Sequence, residues 1–430
     1  MSLGNPRSGP LHCLPNHDLS ILGLPMITAI PDPEKTRSCD QLPGRKASVC
    51  IVSHNGYGAI SGCKGGFVGG VEWQTSMLAR WLAARGHAVS FLTWDEGGPD
   101  DESIVGVRII KICRKSSGLS GLRFFHPKWS GLVKAMRRAD AEVYYQNCGE
   151  CVTGQVAIWC RKNKRGFIFN AANETDCDVS LPELKYWKDR VLYRMGLHNA
   201  SRVIVQTHTQ MEMMRRNFSV NSLVVPMPCQ GAQPMFERGR DNPLSNRVLW
   251  VGRVCPQKRP DRLVEVARIC PEFHFDLVGP HYPDALSTKA IMEAGKLPNV
   301  VVHGQLNREE VARLYRDAAC LISTSDYEGF PNTFLEAWSH ALPVVSTFDP
   351  DGLIVSRHLG FVASDAATLA KALQVLLGSN ELYAEFSGNA LSYFLENHTL
   401  EKVQPRFERL LLEVACMTKD KRACAVRSVE

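Results

Sequence analysis

The sequence lacks an uninterrupted apolar run long enough for a transmembrane helix, and it lacks the charged and then apolar pattern of a signal peptide. We therefore expect a protein that stays in the cytoplasm. A strong excess of charge is also absent, because the net charge is only +6 over 430 residues, so we predict no nucleic-acid partner. The hydrophobic content of 44% and charged content of 22% are ordinary for a globular protein. The length allows two domains with separate cores.

Paired cysteine motifs are nearly lacking, although the chain has 15 cysteines. The number is odd, and several cysteines fall in apolar, core-like runs, so we expect buried and reduced thiols. The close pair Cys148 and Cys151 has no second pair and no nearby His at zinc-finger spacing. A metal or redox role for this pair is therefore disfavoured.

Short apolar runs alternate with helical stretches along most of the chain, which predicts an α/β protein. The expected strands of the first half begin near residues 47, 88, 107, 141, 166 and 202, and those of the second half near residues 247, 273, 300, 320 and 343. We predict two Rossmann-like doubly wound domains in tandem, facing a cleft.

The predicted organisation has six parts. They are a poorly ordered extension (1–45), an N-terminal Rossmann-like domain (46–228), a Pro-rich linker (229–245), a C-terminal Rossmann-like domain (246–390), C-terminal helices that could pack back on the N-terminal domain (391–417), and a frayed tail (418–430).

Residues 327–338 place two glutamates, Glu328 and Glu336, on either side of a strand-to-helix turn. A glycine-containing loop at a helix N-terminus presents N–H groups that favour phosphate, whereas carboxylates suit neutral hydroxyls. The combination suits a sugar nucleotide. The alternative is a capped helix whose glutamates only favour its first turn.

A glycine-rich loop at residues 64–72 follows the first predicted strand and precedes a helical pattern. This order is how a doubly wound domain begins, and it places the loop at the crevice of the sheet. The loop does not match the G-x-G-x-x-G fingerprint, so a dinucleotide-dependent oxidoreductase is disfavoured.

Three stretches resemble the retaining glycosyltransferases of the GT-B fold, in the large group 1 family (family 4-like). They are GRVCPQKRPD (252–261), LVGP (277–280) and EGFPNTFLE (328–336), and they occur in family order. The resemblance is strong over most of residues 245–365 and weak in the N-terminal half. It implies a hexosyltransferase-like enzyme without a cofactor, which moves a sugar from a UDP- or GDP-linked donor to a glycan or lipid-linked acceptor. It also implies that the N-terminal domain (46–228) binds the acceptor and the C-terminal domain (246–390) binds the donor.

The resemblance also implies roles for single residues. Arg253 and Lys258 would grip the donor diphosphate, and their donors suit charge that grows on a leaving phosphate. Glu328 would hold sugar hydroxyls, and Glu336 would hold the ribose diol. We predict Arg253, Lys258 and Glu328 to be catalytic. Backbone donors to sugar and phosphate would come from Gly329, Phe330, Pro331 and Asn332, and Gly69 and Gly70 would approach the diphosphate from across the cleft. The alternative for the two cations is a solvated surface position.

One departure from the family lies in residues 170–176, where many members have a His and this chain has none. Asn173 could offer a hydrogen bond in its place, and Asp176 could contact the acceptor. Loop capping is the alternative for both residues.

Two Asp-x-Asp patterns, 176–178 and 349–351, match the form that holds a metal in other glycosyltransferases. The second has strong turn chemistry, and neither has the single-domain context of a metal-dependent enzyme. We predict no metal.

Residues 122–138 combine aromatic side chains with five Lys or Arg and no acid. This composition suits peripheral contact with an anionic membrane, which would place the protein at the inner face of that membrane. The alternative is an amphipathic helix that packs its aromatic side chains into the N-terminal domain.

Two other functions remain open. A catalytically silent protein of the same fold would bind a nucleotide sugar or a partner protein, but the complete set of two cations and two glutamates weighs against it. A sugar-nucleotide epimerase would need acid and base groups around one sugar, and no convincing pair of this kind is seen in the N-terminal half.

Overall fold

The computed structural model describes residues 44–62, 69–232 and 245–427, with side chains up to residue 419. The predicted N-terminal extension up to residue 43, part of the glycine-rich loop and residues 233–244 of the predicted linker lie outside these ranges. The boundary between the two domains therefore stays a prediction.

The N-terminal half forms one sheet of eight strands. These are β1 (Ser48–Val52), β2 (Ala88–Thr93), β3 (Ser103–Ile104), β4 (Val107–Lys111), β5 (Val143–Asn147), β6 (Gly166–Asn170), β7 (Arg202–Val205) and β8 (Ser222–Val224). Their order is β3-β4-β2-β1-β5-β6-β7-β8, and only β3 pairs antiparallel. The six predicted strands are confirmed, while β3 and β8 are too short to give an apolar run.

The C-terminal half forms a second, fully parallel sheet of six strands. These are β9 (Arg247–Val251), β10 (His274–Val278), β11 (Val300–Gly304), β12 (Cys320–Ser323), β13 (Val344–Ser346) and β14 (Gly360–Val362), in the order β11-β10-β9-β12-β13-β14. Five of these strands were predicted. The sixth, β14, has only three residues and was missed.

Helices connect the strands of both sheets. They are α1 (Tyr57–Ser61), α2 (Gly70–Ala84), α3 (Ser130–Ala139), α4 (Cys151–Lys162), α5 (Trp187–Asn199), α6 (His208–Phe218), α7 (Pro260–Ile269), α8 (Ala285–Ala294), α9 (Arg308–Asp317), α10 (Asn332–Ser339), α11 (Leu353–Ser356), α12 (Ala366–Leu377), α13 (Asn380–Asn397) and α14 (Leu400–Arg427). Within the described ranges, no helix combines the length and the apolar character that crossing a bilayer requires.

Both sheets are doubly wound about their first strand. β1 lies between β2 and β5, and β9 lies between β10 and β12. The chain therefore reverses its direction of winding at these strands, and a crevice opens there at the carboxyl edge of each sheet. Residues alternate between two cores along β9, since Val248 and Trp250 join one buried cluster and Leu249 joins the other. The predicted fold of two Rossmann-like domains is confirmed.

The last helix, α14, returns to the N-terminal sheet. Glu408 on this helix accepts hydrogen bonds from Arg85 and pairs with His87, and Val414 packs against Gly166 of β6. The helix ends at Arg427, beyond the end at residue 417 that we predicted. Residues 418–427 contain charged side chains but no Gly or Pro to stop a helix.

We expect Gly166→Ala to destabilise the protein by about 1–3 kcal/mol, because a small-to-large change in a packed core forces its neighbours apart. A Cβ at Gly166 would lie 2.4 Å from Cγ1 of Val414. Thermal unfolding should show the loss, and adding Val414→Ala should recover part of it. Gly388→Ala is the matched control, since nothing lies within 4 Å of its added Cβ. Equal stability of Gly166→Ala and the control would contradict this docking of α14.

Candidate active site

The two-glutamate stretch lies at the carboxyl end of β12, next to the central strand β9. Glu328 belongs to the loop after β12, and Glu336 lies one turn into α10. The opposite face of α10 buries Phe334, Leu335 and Trp338, which are all fully shielded from solvent. This burial fixes the helix on the C-terminal core and therefore fixes the position of Glu336.

Lys258 and Glu328 form an ion pair in which the Lys258 Nζ donates to Oε1 of Glu328. Lys258 ends a short turn after β9, and Glu328 is only 6% exposed. Two further hydrogen bonds join the same loops: the Thr324 hydroxyl donates to the carbonyl of Lys258 (2.6 Å), and the Gln257 side-chain amide donates to the carbonyl of Tyr327 (2.8 Å). The loops that follow β9 and β12 thus form one unit.

Arg253 follows β9 directly and is exposed. Among the described side chains, no carboxylate lies within salt-bridge distance of it. Its charge acts on Glu72 of the N-terminal domain: burial and the nearby charge of Glu150 raise the pKa of Glu72, and Arg253 partly offsets the rise. An exposed guanidinium without a carboxylate partner among the described side chains therefore lies within electrostatic range of the first turn of α2.

Glu336 has partners from α9. Its Oε2 accepts a hydrogen bond from the Tyr315 hydroxyl (3.0 Å), and its Oε1 lies 3.8 Å from the guanidinium of Arg308. Burial raises the pKa of Glu336, and these two groups partly offset the rise. The Arg308 guanidinium in turn lies 3.3 Å from the ring centre of Trp73 on α2. The N-terminal domain therefore covers the side of the site that holds Glu336.

Backbone hydrogen bonds cross the cleft at the loop of Glu328. The Phe330 N–H donates to Oε1 of Gln206 (2.8 Å), the Glu174 N–H donates to the carbonyl of Glu328 (3.2 Å), and Asn173 forms a bridge with Gly329. The Phe330 N–H, a predicted donor to the ligand, is thus bonded to the opposite domain in this structure.

One predicted role is wrong on chemical grounds. Pro331 has no N–H, so it cannot be a backbone donor to sugar or phosphate. It stands immediately before α10 in an extended conformation, with φ of −65° and ψ of 121°. The residue therefore contributes a rigid entry to the helix, and the donors at this end of α10 start with Asn332.

The glycines of the N-terminal domain meet the start of α10. Gly69 caps α2 and Gly70 begins it. A Cβ on Gly70 would lie 2.4 Å from the Nδ2 of Asn332, whose Oδ1 accepts a hydrogen bond from Gln74 (2.7 Å). The N-termini of α2 and α10 therefore lie side by side, and each favours negative charge.

Asp176 and Asn173 follow β6 at the carboxyl edge. The Asp176 carboxylate is buried and accepts hydrogen bonds from the N–H groups of Ala172 (2.8 Å) and Asn173 (3.2 Å). Burial raises its pKa to about 6, although these bonds oppose the rise. This geometry is the loop-capping alternative. Both bonds use Oδ2 of Asp176, and they hold the segment in which Asn173 forms its bridge to Gly329.

The other aspartates of the two Asp-x-Asp patterns also bind backbone N–H groups. Asp178 accepts from Ser180 (2.7 Å), and Asp349 accepts from Ile354 (2.8 Å). Asp351 reaches the N-terminal domain, where it accepts from His208 (2.7 Å) and from Thr209 (2.9 Å) at the start of α6. In the part of the chain that the structure describes, no three His, Cys, Asp or Glu side chains converge as metal ligands would.

Several residues of this site were missed from the sequence. Gln206 follows β7 and Gln74 lies inside α2, and both bind the loop of Glu328 or the start of α10. His54, at the carboxyl end of β1, stacks on Trp94 with ring centres 4.3 Å apart. A polar residue soon after a buried strand is a signal for a site residue, and Gln206 and His54 both have this position. Nothing in the spacing distinguishes Gln74 from an ordinary helical residue.

Together, the fold and the cleft define a class of protein. Two parallel-sheet domains meet at their carboxyl edges, and the second contributes cations, carboxylates and a helix N-terminus to the cleft. This is the architecture of a GT-B glycosyltransferase.

Comparisons with known proteins support the same class. Residues 69–230 match the model of a "Glycosyl transferase 4-like domain", and residues 245–379 match that of "Glycosyl transferases group 1". The two segments together cover more than half of the chain and both models describe glycosyltransferases, so the chain is a glycosyltransferase. A search of curated protein sequences gave no significant match.

Solved structures support the same fold. Sucrose-phosphate synthase from Thermosynechococcus elongatus is 20% identical, with a TM-score of 0.71 over 87% of this chain and 100% of that one. HepE of Anabaena in complex with UDP and glucose is 14% identical, with a TM-score of 0.66 over 85% and 99%. WaaG, a glycosyltransferase involved in lipopolysaccharide biosynthesis, is 17% identical, with a TM-score of 0.60 over 84% and 99%.

Proposed function

We propose that this glycosyltransferase transfers a hexose from a UDP- or GDP-linked donor to a glycan or lipid-linked acceptor, with retention of the anomeric configuration and without a metal. The observation that carries the proposal is the pairing of Lys258 with Glu328 between the loops after β9 and β12, with Arg253 on the first of these loops. The bound UDP and glucose of HepE support a nucleotide-sugar donor in this fold.

The donor would lie along the carboxyl edge of the C-terminal sheet. Arg253, Lys258 and the N-termini of α2 and α10 would bind the diphosphate, since all four supply positive charge or N–H donors. Glu328 would orient the sugar through its hydroxyls. Glu336 would hold the ribose diol, for which a carboxylate that already accepts from Tyr315 keeps a second oxygen available.

Retention would occur by attack on the face from which the phosphate leaves. The acceptor hydroxyl forms the new bond to the anomeric carbon while the bond to the phosphate oxygen breaks, and the hydroxyl proton passes to that oxygen. We assign neither glutamate as a nucleophile, because Glu328 would hold the hydroxyls of the sugar and Glu336 those of the ribose. Arg253 and Lys258 would stabilise the charge on the departing diphosphate, the task that a divalent cation performs in other enzymes.

Proton NMR of the first product formed should show the anomeric configuration of the donor, and activity should survive a strong chelator. The four aspartates of the Asp-x-Asp patterns already bind backbone N–H groups, which supports the second expectation. An inverted anomer would contradict same-face transfer. Loss of activity with chelator, restored by added divalent metal, would contradict metal independence and would make those aspartates candidate metal ligands.

Release of nucleoside diphosphate without an acceptor separates this function from its alternatives. A transferase should hydrolyse its donor slowly, since water can replace the acceptor. A catalytically silent protein would be stabilised by the nucleotide sugar in thermal unfolding but would release nothing. An epimerase would return a nucleotide sugar with changed sugar stereochemistry, which the same NMR experiment detects.

We also propose that the enzyme works in the cytoplasm. Cys50, Cys160, Cys270 and Cys320 are buried free thiols in the two cores. Such thiols suit a reducing compartment, where they behave as small apolar residues.

A further inference from the structure

An exposed apolar surface lies on the N-terminal domain. Two separate segments provide it, and we call it the aromatic-basic surface. Its apolar members are Leu119 (74% exposed), Leu122 (61%), Phe125 (61%), Tyr186 (64%) and Trp187 (77%). Large apolar side chains with this exposure are common singly, but a group of five on adjoining segments indicates a binding surface.

The helix within residues 122–138 is not part of this surface. Leu132, Ala135 and Met136 of α3 are buried in the core of the N-terminal domain, as the packing alternative predicted. The residues before α3 are different, because the turn at Phe124–Trp129 contains no buried residue. The membrane contact that the sequence suggested for 122–138 can therefore involve only its first part.

A cation joins the two segments into one surface. The Lys188 Nζ lies 3.9 Å from the ring centre of Phe124 and 5.5 Å from that of Tyr186. Phe124 also contacts Phe125 and Trp129 edge-on, with ring centres 5.1 and 5.7 Å apart. Residues 186–188, which no sequence pattern connects with residues 119–129, thus extend the surface.

The charge around the surface has one dominant sign. Residues 113–129 contain four Lys or Arg and no Asp or Glu, and the second segment adds Lys185, Lys188 and Arg190. Of the acids beside these segments, Glu183 accepts a hydrogen bond from the hydroxyl of Tyr327, Asp95 lies 3.6 Å from Arg114, and Asp189 lies 3.8 Å from the Lys188 Nζ, so cations remain in excess. A partner for this surface must therefore be anionic and must also accept aromatic rings.

We propose that the aromatic-basic surface docks the protein on the anionic face of a lipid bilayer. Trp and Tyr side chains fit the headgroup level of a bilayer, where a ring has an apolar and a polar neighbour. Lys and Arg extend their charged ends to lipid phosphates while their carbon chains cover apolar area. An anionic lipid bilayer provides both an apolar interior for the aromatic rings and phosphates for the cations. The choice of this partner does not depend on which sugar the enzyme transfers.

Co-sedimentation of the full chain with vesicles tests the proposal. We expect binding to vesicles of phosphatidylcholine mixed with phosphatidylglycerol, weakened by added salt, and little binding to phosphatidylcholine alone. Phe125→Ala with Trp187→Ala should weaken binding by about tenfold or more, since each removes exposed apolar area that the bilayer would cover. Arg123→Glu with Lys185→Glu should weaken it by a similar factor.

The matched control is Met292→Ala with Val355→Ala, which removes two side chains of comparable exposure (63% and 61%) from the C-terminal domain. It should leave vesicle binding unchanged. No binding to anionic vesicles, or equal binding by both pairs of variants, would overturn the proposal. The protein could instead self-associate without vesicles and not bind them. If Phe125→Ala with Trp187→Ala abolished that self-association, the surface would be assigned to a second copy of the chain, and the proposal would be overturned. Thermal shift with nucleotide sugars tests the proposed function independently in the same preparations.

Discussion

Lys258→Ala should reduce kcat by about 100-fold or more while changing donor affinity far less, because charge on the leaving diphosphate is greatest in the transition state. The carboxylate of Glu328 holds Lys258 in place through an ion pair. Arg253→Ala should show the same division between kcat and KM. Steady-state kinetics with the physiological acceptor, or donor hydrolysis without one, provides the measurement.

Removing Lys258 alone has a second effect that must be separated from catalysis. Glu328 is 6% exposed, and a buried carboxylate that loses its partner destabilises the protein. The double variant Lys258→Met with Glu328→Gln removes both charges, so it should recover thermal stability and remain inactive. Lys296→Ala, which removes an exposed cation that pairs with Glu293, is the control. Activity that returns together with stability in the double variant would show that Lys258 is only structural.

Gly329→Ala should lower kcat/KM by about 100-fold, because a shift of about 1 Å in a reacting group can cost that much. A Cβ at this position would lie 2.0 Å from the carbonyl oxygen of Ala172 and 2.9 Å from Oε1 of Gln206. The first contact is with backbone and cannot be relieved by a rotamer change. The loop of Glu328 and the segment after β6 must then separate, and the bonds that cross the cleft there are lost.

The core of each domain does not include Gly329, so thermal stability should change less than activity. Gly295→Ala is a suitable control, since its added Cβ would make only ordinary contacts at 3.6 and 3.8 Å. Activity of Gly329→Ala close to that of the control would mean that the two segments lie apart during turnover.

The fold could be predicted because its strands are buried on both faces. A parallel strand of this kind appears in the sequence as an unbroken apolar run, as in β1 and β12. The three-residue strand β13 still contains two valines and was predicted. β3 and β14, with two and three residues, do not give such a run. Their pairing depends on neighbours that are distant in sequence, and the sequence pattern does not contain this information.

Of the candidate site, the sequence indicated the residues on the loops after β9 and β12. The pairing of Lys258 with Glu328 joins two motifs that the sequence had already singled out. The contacts of Gln206 and Gln74 could not be predicted, because they depend on how the two domains meet. The same reason applies to Asp176, whose neighbours in the sequence could not show whether its carboxylate faces a ligand or its own loop.

The hydrogen bond from the Phe330 N–H to Gln206 has a thermodynamic consequence. One amide hydrogen cannot serve a donor phosphate and the opposite domain equally well. A ligand that takes this N–H must displace Gln206, so its affinity falls as contact between the domains tightens. A ligand that leaves the bond intact gains affinity from the same contact. By reciprocity, each ligand strengthens or weakens the contact between the domains by the same factor by which that contact changes the affinity of the ligand. Gln206, which belongs to the N-terminal domain, thereby gives that domain an influence on the selection of ligands by the other.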